Sequence, residues 1–224
     1  MIFIKNYYYI IIILIFSIII INIANVNGKS SPLDGKIIFV DAGHGGRDPG
    51  TRYGNILEKD LNLVISNVIR NELEKSGAKV IMARDSDIDL SKEYDYNKKH
   101  GDLNRRINKM KNNNCDLYIS IHLNWYNDYY YGGAEVLYNQ NNLNNKLFAE
   151  KLTKSLEKYN IRTRDIKKTN LYMYRNATIP GVLFECGFLS NKNDRYLLQT
   201  KEYQLKLAKA IVDSMIDYFM VQND

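Results

Sequence analysis

Cysteine is nearly absent from this chain. Its 224 residues contain two, Cys115 and Cys186, and neither belongs to a CxxC pair, which argues against a thiolate zinc site. Both stand in apolar runs, where a free thiol behaves as a small buried hydrophobe, a reading favoured over a disulfide. Histidine is scarce too: His44, His100 and His122 are the full set. No internal repeat is present, and no linker leads to a second domain; only residues 30–34 look like a tether. The lysines are scattered, and no basic helix face lies beside a base-reading motif, so nucleic acid is not the expected partner.

Charge is missing from the beginning of the chain. Lys5 is the sole charged side chain among residues 1–28, and an apolar run from Tyr7 to Ile23 follows it. A basic start before such a run reads as a secretory signal peptide or as an uncleaved N-terminal membrane anchor. Val26 and Gly28 fit the small residues before a cleavage site, which would begin the mature chain at Lys29. The run is short for the ~30 Å core of a bilayer, and the choice stays open. Removing residues 1–28 lowers the formal net charge from +6 to +5. A mildly basic exported protein suits an anionic partner such as a cell-wall polymer.

From Gly35 onward, strand and helix patterns alternate. Residues 36–40 form an apolar run entering the glycine-rich segment Asp41-Ala-Gly-His-Gly-Gly. Glu58–Lys75 reads as an amphipathic helix, with Leu61, Val64, Ile65, Val68 and Ile69 at helical spacing and Gly77 as its stop. Further strands are expected at residues 79–83, 116–121 and 181–184, and further helices at 102–111, 143–159 and 201–219. Residues 85–100 and 124–133 read as loops. Buried strands alternating with such helices predict one α/β domain over residues 29–224, a mixed, mostly parallel sheet with helices on both faces.

Three functional side chains stand at strand ends in this reading, and one opens a helix. His44 and His122 follow buried strands, Glu185 ends a third, and Glu58 begins the helix after the first loop. In open α/β sheets chemistry collects beyond the carboxyl ends of the strands. Two histidines and a carboxylate suit zinc with a fourth position left for water, and a nearby glutamate can carry the proton in amide hydrolysis. Each residue has a plainer rival. A lone strand-end histidine is more often packed and hydrogen-bonded, but Gly43, Gly45, Gly46 and Gly50 surround His44 and let backbone approach a ligand. Glu58 alone is an ordinary first-turn glutamate. Glu185, between Phe184 and Cys186, is costly in an apolar strand unless something binds it. His100 reads as a surface residue.

Four segments then match a family. KIIFVDAGHGGRDPGT (residues 36–51) resembles the opening of the type-3 zinc-dependent N-acetylmuramoyl-L-alanine amidases. LEKDLNL, DLYISIHLN and PGVLFECGFLSN resemble, in order, their second and third metal-ligand regions and the segment with the catalytic glutamate. The likeness runs from about Lys36 to Phe219. It implies His44, Glu58 and His122 as metal ligands, Glu185 as catalytic acid/base, Zn2+ as cofactor and peptidoglycan as substrate. HGDLNRRINKMKNNNCDLYISIHLNW is similar to the germination-specific amidases of spore formers, which strip the peptide from muramic acid in spore cortex on the way to muramic-δ-lactam.

The likeness has departures. Cys115 and Cys186 stand where alanine or valine is commoner in that family, and strand alternation turns Cys186 away from Glu185. The stretch Trp125–Tyr131 is rich in tyrosine, suited to a sugar, a partner protein or plain solvent. Arg84, Arg105, Arg106 and Arg175 suit either substrate carboxylates or surface ion pairs. With the basic helix at residues 100–111, the tyrosine-rich loop leaves room for an accessory protein. The competing functions are a vegetative autolysin or cell-separation amidase, a non-catalytic peptidoglycan-binding protein on the same fold, and a zinc carboxypeptidase.

Overall fold

The computed structural model describes residues 12–16 and 31–222. The signal or anchor expected over residues 1–28 therefore falls largely outside the described residues. Among those described, no helix is long and apolar enough to cross a membrane.

The central sheet contains β1 (Ile37–Ala42), β4 (Lys79–Met82), β5 (Leu117–Asn124), β6 (Glu135–Tyr138), β7 (Lys167–Lys168) and β8 (Gly181–Phe188), in the order β4-β1-β5-β8-β6-β7. Only the β6–β8 pair is antiparallel. A two-stranded hairpin, β2 (Arg52–Tyr53) with β3 (Ile56–Leu57), precedes the first helix. The helices are α1 (Glu58–Lys75), α2 (Lys98–Asn112), α3 (Leu143–Lys158), α4 (Tyr172–Asn176), α5 (Lys192–Leu198) and α6 (Lys201–Gln222).

The two-residue period of the strands sorts their side chains onto two faces. Ile38, Val40, Ile119, Ile121, Val182, Phe184 and Cys186 meet Ile65, Ile69, Leu152, Leu156, Ile211 and Met215 from α1, α3 and α6 in the larger core. On the other face Phe39, Tyr118 and Leu183 pack with Met110 of α2 and with Met173 and Tyr174 of α4. Helices therefore cover both faces, as the alternating pattern predicts. The second cover is the smaller one. Toward the strand C-termini the same period places Asp41, Ser120, His122 and Glu185 on that thinly covered face, and a cavity opens there.

Several elements differ from the sequence reading. α2 begins at Lys98, ahead of the expected residue 102, because the Asn97 side chain caps it by accepting from the His100 backbone N–H. β5 and β8 continue past His122 and Glu185, so neither residue terminates its strand. β6 and β7 went unread: they are short and carry Glu135, Lys167 and Lys168, and only pairing with distant segments makes them strands.

Candidate active site

The chain leaves β1 through Gly43 into a tight loop. A Cβ on Gly43 would lie 2.3 Å from Cε1 of His122, so only glycine lets that ring approach the loop. His44 itself has a φ of 61°, left-handed backbone that a non-glycine residue rarely adopts. Three contacts hold it there. Gly45 and Asp48 exchange backbone hydrogen bonds of 3.0 and 3.1 Å. The His44 carbonyl accepts from Nη2 of Arg106 at 2.8 Å. The His44 Nδ1 lies 2.8 Å from Oδ2 of Asp48, which fixes the ring.

Glu58 opens α1 but is buried. Its Oε1 lies 3.1 Å from His44 Nε2 and 3.0 Å from His122 Nδ1, and it accepts from the Leu123 backbone N–H. Its Oε2 accepts from the backbone N–H of Thr51 at 2.7 Å. The two imidazole rings meet edge-on, with centroids 4.9 Å apart. One ligand atom from each of His44, Glu58 and His122 thus falls within 4.8 Å of the others. This convergence displaces the plainer reading of Glu58 as a solvated first-turn acid. Burial disfavours charge at both His44 and Glu58, but their attraction outweighs it. With Asp48 and Glu58 accepting from it, His44 rises to about 9. Glu58 is held well below the usual carboxylate range by His122 and His44. Three donors pulled together this tightly are a set that a divalent cation fits.

Behind His122 runs a buried polar chain. Its Nε2 lies 3.4 Å from the Tyr174 hydroxyl, which donates to Ser120 Oγ, which donates to Asp41. Asp41 pairs with Arg106, which also holds Asp102. Arg106 thereby connects the backbone of His44 to the network behind His122. Arg84 braces the same loop from below, donating to the carbonyls of Ala42, Gly43 and Lys59. Both arginines are 1% exposed and spend their donors on buried carbonyls and carboxylates, so they are not surface ion pairs. Of the other two arginines, Arg105 pairs with Asp95, and Arg175 lies over the Tyr172 ring.

Glu185 stands directly beside His122 in the β5–β8 register, and Glu135 stands beside it on the other side. It lines a cavity of about 660 Å³ that also reaches His44 and His122. Its Oε2 is buried with no hydrogen-bond partner. Burial, then Glu58 and Glu135, push its pKa well above the usual carboxylate value. The sheet therefore presents an unpartnered carboxyl beside the three-donor cluster. Cys186 turns into the opposite core, and both cysteines are free and buried.

The model of the N-acetylmuramoyl-L-alanine amidase family matches residues 38–217, which include all four of these side chains. The chain belongs to that family. It is 38% identical over 203 residues to the germination-specific N-acetylmuramoyl-L-alanine amidase of Bacillus subtilis, covering 87% of this chain and 84% of that relative. It is 32% identical to the amidase LytC of the same organism, over 86% of this chain but 37% of the longer relative. Among solved structures it resembles the CwlD amidase of Clostridioides difficile in complex with the GerS lipoprotein. There the TM-score is 0.79 at 35% identity, covering 84% of this chain and all of that one. For the catalytic domain of CwlV from Bacillus (Paenibacillus) polymyxa the TM-score is 0.72 at 27% identity, with 83% and 99% covered.

Several parts of this amidase-family site escaped sequence reasoning. Asp48, four residues after His44, was a readable signal for an acid that orients the His44 ring. Tyr174 and Ser120 carried none, because only the α4 cover brings Tyr174 to β5. His100 is exposed, as expected, but sits in α2 rather than in a loop and stacks on Tyr172 at 4.7 Å. The Trp125–Tyr131 stretch is divided: Tyr131 packs on Phe188 beneath Arg164, whereas Trp125, Tyr126, Tyr129 and Tyr130 are exposed.

Proposed function

We propose that this protein is a zinc-dependent N-acetylmuramoyl-L-alanine amidase that cleaves the amide between the muramic acid lactyl group and L-alanine in spore-cortex peptidoglycan. The observation that carries the reading is the convergence of His44 Nε2, Glu58 Oε1 and His122 Nδ1 beside Glu185. In it, residues 1–28 export the chain as a signal peptide or hold it as a membrane anchor, and residues 29–224 act in the cell wall or the forespore intermembrane space. The similarity to a germination-specific relative favours cortex over vegetative wall.

His44, Glu58 and His122 hold the metal in this reading. A zinc ion so bound brings a water pKa to roughly 7 and polarises a carbonyl. Glu185 takes the water proton on its unpartnered oxygen and returns it to the leaving nitrogen. Glu135 beside it, and the burial around it, favour its proton-bearing form for that second transfer. Asp48 sets the His44 ring so that Nε2 faces the cluster. Asp48→Asn is therefore expected to weaken zinc about 10- to 100-fold with the fold intact, read by competition with a chelating dye. Unchanged affinity would remove Asp48 from this role.

An accessory protein belongs to the proposal as well, supported by the neighbour solved with a lipoprotein. The function is tested by mass spectrometry of cortex muropeptides with and without this protein. Loss of muramic-δ-lactam, restored by the wild type but not by Glu185→Gln, is the expected result. Intact lactam in its absence would move the activity to vegetative wall.

A further inference from the structure

One wall of the Glu185 cavity is unused by this chemistry. It is the start of α2, where Lys98, Lys99 and His100 follow the Asn97 cap and no acid stands in the first turn. Basic residues at a helix N-terminus oppose the helix dipole, so local stability does not explain them. Asp48 feels the Lys99 charge, but no acid that lines the cavity forms an ion pair with it among the described residues. Asp41 and Asp102 are held by Arg106, Asp89 by Arg47 and Asp48 by His44. Lys98 donates to the carbonyls of Lys92 and Glu93. The Lys99 side chain is exposed and makes no hydrogen bond or ion pair among the described residues. Leu103, Leu171 and Met173 make the remaining wall apolar, and the buried, unpartnered Oε2 of Glu185 lies in the same cavity. A cavity lined by an unpartnered carboxyl and by a cation outside any ion pair is shaped for a ligand that spans both.

We propose that the α2 wall is the subsite for the carboxylates of the stem peptide, with Lys99 as the residue that reads their charge. This rests on the amidase reading and adds a direction to it. A stem peptide carries free carboxylates, whereas the sugar on the other side of the scissile amide is neutral. A cationic rim beside a partly desolvated cavity sorts the two ends, because attraction strengthens where water is excluded. The peptide leaves the reacting amide toward α2, and the glycan lies on the opposite rim.

The test uses two muramyl-peptide substrates that differ only in peptide carboxylates left free or converted to amides. For the free-acid substrate, KM is expected to rise about threefold in Lys99→Ala and about tenfold in Lys99→Glu, with kcat within about twofold. On the amidated substrate the variants and the wild type should share one KM. A KM that rises equally on both substrates would overturn the proposal, since Lys99 would then be shaping α2 rather than reading charge. Calorimetry with the released peptide, as acid and as amide, gives a readout independent of turnover. Tighter binding of the acid by the wild type, lost in Lys99→Glu, supports the subsite; equal binding of both forms sinks it. If the wild type cleaves neither substrate, the amidase reading fails, and the calorimetry alone decides the subsite.

Discussion

Glu185→Gln is expected to keep the fold and the metal while losing about 10²- to 10⁴-fold in kcat, the range a positioned general acid/base supplies. The change is nearly isosteric. It removes the atom that takes the proton and leaves the donors of His44, Glu58 and His122 in place. Glutamine also suits the site structurally, because burial already favours an uncharged side chain there. The variant should therefore be at least as stable as the wild type at neutral pH. Metal content by plasma emission, denaturation midpoint and single-turnover rate should be read on the same preparation. A variant that holds zinc, folds normally and still turns over within threefold of wild type would end the assigned role. A variant that loses zinc would instead place Glu185 among the ligands.

The second large effect is on stability. Arg106→Met leaves Asp41 buried without its cation, frees the carbonyl of His44 and leaves that of Ala42 with Arg84 alone. Removing one partner of a buried pair costs about 3–5 kcal/mol, because the remaining charge is uncompensated. The pH dependence has a definite sign. Burial alone would raise Asp41, but Arg106 and the Ser120 hydroxyl outweigh it and hold its pKa below the ordinary value. The stability Asp41 contributes is thus present above the ordinary carboxylate pKa of about 4 and is lost as pH falls through its lower folded value. Without Arg106 the largest opposing effect is gone and burial weighs more heavily on Asp41, so the variant loses less on protonation. The gap between the two proteins should be widest near pH 7 and should narrow toward pH 4 in urea titrations. A loss below about 1 kcal/mol at pH 7 would mean that the pair does not anchor the His44 loop.

Much of this was legible in the chain itself. Apolar runs at the two periods marked β1, β5, β8, α1, α3 and α6, and those elements carry the larger core, while α2 and α4 cover the smaller one. The glycines around His44 and the carboxylate inside an apolar strand marked chemistry before any contact was known. Arg106 was misread because a basic side chain on a basic helix looks solvated. Its burial follows from α2 lying across the end of β1, a relation between residues 41 and 106 that no local pattern encodes. β6 was missed for a similar reason: its pairing with β8 brings Glu135 beside Glu185, and neither segment announces the other.

The sequence by itself determined the α/β class, the faces of its helices and the identities of the four side chains proposed to act, because spacing and burial preference are written into neighbouring residues. Only the tertiary structure decided that His44 takes left-handed backbone, that Gly43 makes room for the His122 ring, and that Arg106 and Tyr174 brace the two histidines. Those are contacts between segments distant in the chain. Their energies depend on distance and on excluded water, which exist only once the strands stand in register.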